Sequence, residues 1–132
     1  MIVDTSAVAA VIFGQAESSA ITAALLAGAP SAIGAPTLAE AAIVLQARLG
    51  AQGLTHLRSF LVEFDVRAVP FGDEHWRQAG LAFAHYGKGR HPAGLNLGDC
   101  LTYAVAKVSG MPLLCVGGDF AKTDLELVAL GG

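Results

Sequence analysis

Ile2-Val3-Asp4-Thr5-Ser6-Ala7 places a two-residue apolar run before an acid and two hydroxyl residues that suit the start of a helix. A strand that ends on a carboxylate and passes at once into a helix is the βα step of an α/β fold. The step recurs along the chain. Short apolar runs predict strands over 32–35, 66–69, 113–116 and 127–130. Between them the pattern predicts helices through Phe13 and over 17–27, 37–49, 54–64, 73–86 and 98–109. Gly28 and Pro30 stop the second helix, Pro36 suits a first helical turn, and Gly50 and Gly110 suit helix ends. Continuous apolar strands alternating with helices imply a parallel sheet covered on both faces, joined by right-handed crossovers. In such sheets sites form beyond the carboxyl ends of the strands. Asp4 closes the first strand and Asp119 lies three residues past the run ending at Val116, so both are expected on one rim.

The remaining composition fits one compact domain spanning 1–132. Only 14% of residues are charged and 54% are hydrophobic, against roughly 25% charged in typical globular chains. That excludes disorder. Eleven acids face eight Lys and Arg, a formal charge of −3, so the chain cannot hold a polyanion by net charge alone. Two cysteines, Cys100 and Cys115, are too few for a disulfide framework and point to a reducing cytoplasm. The first residues carry no basic leader, which argues against a signal peptide. The uncharged stretch from Ser18 to Ala39 is broken by Gly28, Pro30, Gly34 and Pro36, so no membrane span is expected.

Charge is informative here through its scarcity. Asp4 is alone between residues 1 and 16, Glu40 between 18 and 47, Asp99 between 92 and 106, and Asp119 between 108 and 121. Burying an unpaired carboxylate costs several kcal/mol, so acids in such apolar stretches need a reason. Asp4 and Asp99 also suit helix caps, and Asp119 in Gly117-Gly118-Asp119 suits a turn. Glu40 is harder to explain away. It lies in a helix expected to be buried nearly all round, with no Lys or Arg three or four residues away. Taken together, the four read as one acidic site.

Clustered carboxylates repel one another unless a cation is present. Oxygen ligands without His or Cys select Mg²⁺ or Mn²⁺ over zinc, and Mg²⁺ completes its shell with water and phosphate oxygens. The chemistry best served is metal-assisted phosphodiester hydrolysis. None of His56, His75, His85 and His91 has the spacing of a zinc pair on one helix. Lys88, Arg90 and His91 form the densest basic segment and lead to Asn96 and Asp99, which reads either as a phosphate contact or as a solvated loop. Two other readings stand beside the nuclease: a non-catalytic module that binds RNA or a partner, and a Mg²⁺-dependent phosphatase.

Three segments carry a family resemblance. They are Ile2-Val3-Asp4-Thr5-Ser6-Ala7, the Glu40 helix after Pro36-Thr37-Leu38-Ala39, and Leu95-Asn96-Leu97-Gly98-Asp99-Cys100. With the closing Gly117-Gly118-Asp119-Phe120-Ala121-Lys122-Thr123-Asp124, they resemble PIN-domain ribonucleases, and more narrowly the VapC toxins of toxin–antitoxin pairs. The resemblance implies a PIN-like fold with parallel strand order 3-2-1-4-5, Mg²⁺ or Mn²⁺ dependence and RNA cleavage. It also implies a homodimer and a VapB-type antitoxin. By position, Asp4 and Asp99 match direct metal ligands, Glu40 and Asp119 match acids holding water or a second metal, and Thr5, Ser6 and Asn96 match supporting residues. Many relatives carry two acids before the Phe; Gly118 replaces the first here. Thr123 and Asp124 read as turn or supporting residues. The apolar residues of Val8–Phe13 and Ile21–Leu26 are expected to form a groove for an antitoxin helix, which would extend an Arg or Lys toward Asp4, Glu40 and Asp99.

Overall fold

A computed structural model describes residues 1–131. The elements follow in the order β1 (Ile2–Val3), α1 (Thr5–Ile12), α2 (Ser18–Leu26), β2 (Ser31–Gly34), α3 (Ala35–Leu49) and α4 (Gln52–Glu63). Next come β3 (Val66–Val69), α5 (Asp73–Tyr86), α6 (Leu97–Ser109), β4 (Leu113–Leu114) and a 3-10 turn, Phe120–Lys122. The four strands are parallel in the order β3-β2-β1-β4. β1 and β4 are only two residues long, which suffices because each residue goes to one face. Val3 and Leu114 join the core beneath α1 to α4, while Ile2 and Leu113 join the core beneath α5 and α6.

The expected fifth strand over 127–130 does not form. Leu127 makes one parallel bridge to Leu113, through Leu113 N–H to the Glu126 carbonyl (2.9 Å) and Val128 N–H to the Leu113 carbonyl (2.8 Å). With β4 just two residues long, one pairing is all its outer edge offers. The order 3-2-1-4 therefore stands and the fifth position is a single contact.

The Glu40 helix also differs from expectation. Thr37, Ala41 and Leu45 form its buried stripe, spaced by four residues, but Ile43 is 67% exposed. α3 covers the sheet with one face only. α6 fits more closely over β2: a side chain at Gly34 would meet Val105 Cγ2 at 2.7 Å. Among the described residues no helix is long and apolar enough to cross a membrane.

Candidate active site

β1 delivers Asp4 to the carboxyl rim of the sheet, 7% exposed. It is the N-cap of α1, as the capping reading allowed: Ser6 N–H donates to Asp4 Oδ2 at 3.1 Å. Capping does not exhaust it. The Ser6 hydroxyl also donates to Oδ2 (2.6 Å) and accepts from Val116 N–H (3.0 Å), tying the ends of β1 and β4 together. The Thr102 hydroxyl donates to Asp4 Oδ1 at 2.9 Å.

Glu40 reaches the same rim from the second turn of α3. The Thr5 hydroxyl donates to its Oε1 at 2.5 Å. The carboxylate lies against Gly98 in the first turn of α6, so close that a Cβ on residue 98 would run into Glu40 Oε2. The positive end of that helix favours the carboxylate there.

Asp99 sits one residue on. Asn96 caps α6, its Oδ1 accepting from Asp99 N–H (2.9 Å), while Asp99 Oδ2 accepts from Asn96 N–H (3.2 Å). Each expected supporting residue thus holds one acid: Ser6 holds Asp4, Thr5 holds Glu40 and Asn96 holds Asp99. Asp119 stands apart. It is exposed at the N-terminus of the 3-10 turn and makes no cap bond, though Phe120 beside it is 4% exposed and anchors the turn. Thr123 donates to the Phe120 carbonyl (2.7 Å), and Asp124 accepts from Tyr103 (2.6 Å) and Lys107 (2.7 Å), which fastens the segment to α6.

The electrostatics join the four acids. Burial pushes the Asp99 carboxyl above its ordinary range, the Asn96 hydrogen bond opposes the rise, and the charges of Asp4, Asp119 and Glu40 add to it. Burial together with Asp4 and Asp99 pushes the Cys115 thiol up to about 11. Among the described residues no three acid, His or Cys side chains converge as a ready-made metal cage. A hard cation of the Mg²⁺ type needs only one or two carboxylates plus water, which hydrogen-bonded but incompletely occupied Asp4 and Asp99 fit.

The basic loop closes on itself at its base. Gly87 and Leu95 pair across its base. The Arg90 guanidinium lies 5.2 Å from the Phe83 ring centre, and His91 Nδ1 accepts from Ala93 N–H at 3.0 Å. Lys88 and Arg90 are exposed, and the sole ion pair among the described residues is Lys107–Asp124. Lys122 reaches the loop at the Pro92 carbonyl (3.5 Å), a cation that sequence reasoning did not connect to it.

The apolar residues expected to form a groove on the first two helices divide: Val11, Ile12 and Phe13 are partly buried and Leu26 is 65% exposed. Val8, Ala10, Ile21 and Leu25 are spent on the core, because α1 and α2 turn those faces inward. Further apolar surface is open beside Glu40, where Pro36, Ala39, Ile43, Val44, Leu97 and Leu101 line a groove of about 290 Å³. Sequence reasoning also missed Thr37 and Thr102, buried polar residues one helical turn from Glu40 and Asp99 respectively.

The parallel α/β sheet with an acidic rim is that of a PIN domain, as the PIN domain family model matching residues 1–126 shows. Ribonuclease VapC36 of Mycobacterium tuberculosis is 47% identical over 133 residues, spanning 100% of this chain and 96% of that protein. The chain belongs to the VapC family of PIN-domain proteins. Among solved structures, VapC20 of M. tuberculosis, described as a sarcin-ricin loop cleaving toxin, superposes with a TM-score of 0.78 at 20% identity. The match covers 96% of this chain and 97% of that one. VapBC2 from Rickettsia felis, bound to a DNA fragment from its promoter, gives 0.78 at 18% identity, covering 98% of each chain. Both share the fold.

Proposed function

We propose that this chain is a Mg²⁺-dependent endoribonuclease, the toxin of a toxin–antitoxin pair, with Mn²⁺ able to substitute. The observation that carries the reading is that Ser6, Thr5 and Asn96 hold Asp4, Glu40 and Asp99 by hydrogen bonds on one rim of the sheet. Family membership supplies the reaction class.

Asp4 and Asp99 would hold the cation. When bound, it supplies a polarised phosphate oxygen and a water of lowered pKa. Thr5 keeps Glu40 in place over α6, where Glu40, with Asp119, orients the attacking water for in-line displacement that leaves a 5′-phosphate and a 3′-hydroxyl. Lys88 and Arg90 contact the RNA backbone, offsetting the chain's net negative charge.

A VapB-type antitoxin would silence the site by pairing a guanidinium with the fixed carboxylates, a bidentate match for an Arg. A second copy of the chain would cover the apolar surface at Ile43 and Leu97, 67% and 77% exposed.

The test incubates the purified protein with a panel of tRNA, rRNA and mRNA in Mg²⁺, with EDTA and a chromogenic phosphate ester as controls. RNA cleavage that EDTA abolishes, no ester hydrolysis, and inactive but folded Asp4→Asn and Asp99→Asn variants are expected. Wild-type cleavage by either variant would refute the ligand assignment, and ester hydrolysis alone would point to a phosphatase.

A further inference from the structure

Thr102 is 1% exposed and Thr37 is 3% exposed, and their hydroxyls meet at 2.9 Å where α6 crosses α3. An ionised carboxylate can only accept, so the single Thr102 proton goes to Asp4 Oδ1. Thr37 must then be the donor to Thr102. The result is a directed chain, Thr37 to Thr102 to Asp4, connecting the Glu40 helix and the Asp99 helix to the acid at the end of β1.

This chain decides how the Asp4 carboxylate is used. A carboxylate offers about four acceptor positions. Oδ2 accepts from Ser6 N–H and the Ser6 hydroxyl, and Oδ1 accepts from Thr102. By that count one position remains, on Oδ1. The threonines serve no other polar purpose. Thr102 is the one polar side chain in the buried run 102–106 apart from the Tyr103 hydroxyl, and at 1% exposure a valine would fill the same volume without a buried hydroxyl to satisfy.

We infer that Thr102, directed by Thr37, is a positioning residue for the divalent-cation site, fixing the rotation of the Asp4 carboxylate so that Oδ1 keeps one free acceptor position. The inference rests on the metal-dependent reading above. It places a hydroxyl partner behind a ligand, an arrangement whose loss typically weakens metal binding about 10- to 100-fold.

The test measures Mn²⁺ binding to the purified chain by electron paramagnetic resonance, alongside RNA cleavage against Mg²⁺ concentration and urea unfolding. Thr102→Val, of equal volume, is expected to weaken Mn²⁺ binding about tenfold and to shift the Mg²⁺ activation curve to higher concentration. The KM for RNA should stay unchanged. Thr102→Ser should restore binding to near the wild-type value, which a packing role alone would not require. Thr37→Val, which leaves the Thr102 hydroxyl undirected, should weaken binding by a smaller factor and carries the test if Thr102→Val does not fold. Wild-type Mn²⁺ affinity in the folded valine variant overturns the inference and leaves the metal reading intact. Absence of Mn²⁺ binding by the wild-type chain overturns both.

Discussion

A methyl group at residue 98 should separate stability from activity. Gly98→Ala puts a Cβ against Glu40 Oε2, with Glu40 Cδ only 3.2 Å away. The obstacle is the end of a flexible side chain, so Glu40 moves and the backbone stays. To reach ordinary contact the carboxylate must retreat by about 1 Å, a misplacement that at a catalytic group costs on the order of 100-fold in rate. Moving it also breaks the Thr5–Glu40 hydrogen bond of 2.5 Å, worth about 1.5–3 kcal/mol for a charged acceptor. Two gains oppose that loss: alanine is better than glycine in a helix by up to about 1 kcal/mol, and the released carboxylate is solvated again. Net stability should therefore fall by about 0.5–2 kcal/mol at most, less whatever resolvation of the carboxylate returns. Urea unfolding and RNA cleavage at saturating Mg²⁺ measure the two effects. The Gly98→Ala/Glu40→Ala double variant should cleave no more slowly than Glu40→Ala alone, because the clash is gone. Full activity in Gly98→Ala would show that the position of Glu40 does not matter and would refute the reasoning.

Asp99→Asn should stabilise the cation-free protein as it abolishes cleavage. The folded-state pKa of Asp99 lies above its usual value, so the folded chain binds more protons than the unfolded one across that window, and this group's contribution to stability falls as pH rises through it. The variant's gain in Tm should therefore be present at pH 7 and vanish below pH 3.8; a variant less stable than wild type at pH 7 refutes the assignment. Tyr103→Phe removes the 2.6 Å bond to Asp124 from a buried phenol and should cost about 1–3 kcal/mol by urea unfolding, with no loss if the C-terminal segment is not fastened there. Lys88→Ala with Arg90→Ala should lower the slope of RNA affinity against salt by roughly one unit per lost phosphate contact, and an unchanged slope would remove the loop from the RNA path.

The legible part of the fold was the alternation of apolar runs with helical segments, since β1 and β4 are wholly buried and the ends of α1, α3 and α6 carry an Asp or Asn cap, a Pro or a Gly. The four acids were legible for a related reason: in a chain so poor in charge, each carboxylate lies alone in its segment. Less visible was which face of a helix the tertiary structure leaves open. α3 is apolar almost all round in sequence, and only the fold shows that Thr37, Ala41 and Leu45 face inward while Ile43 does not. The same ambiguity applies to α1 and α2, where Val8, Ala10, Ile21 and Leu25 go to the core while Leu26 faces outward. Thr37 and Thr102 look like ordinary helix threonines until α3 and α6 cross. Their one signal was spacing, three residues from Glu40 and from Asp99. Gly98 gave no signal, because the side chain that requires it comes from another helix.

Pairing of the first strand with the last has a consequence for a chain still being synthesised. Val3 lies beside Leu114, and the bond from Val116 N–H to the Ser6 hydroxyl spans 110 residues. Contacts so distant in sequence form late and slowly. A ribosome that has made α1 through α5 has exposed Asp4 and Glu40 but neither Asp99 nor Asp119, and β1 still lacks the neighbour that fixes one of its edges. Assembly of the rim therefore waits for translation to pass residue 119, so a product stalled after α5 carries half the acids and an unpaired strand edge. Incomplete chains are inert at the rim and open to aggregation or proteolysis.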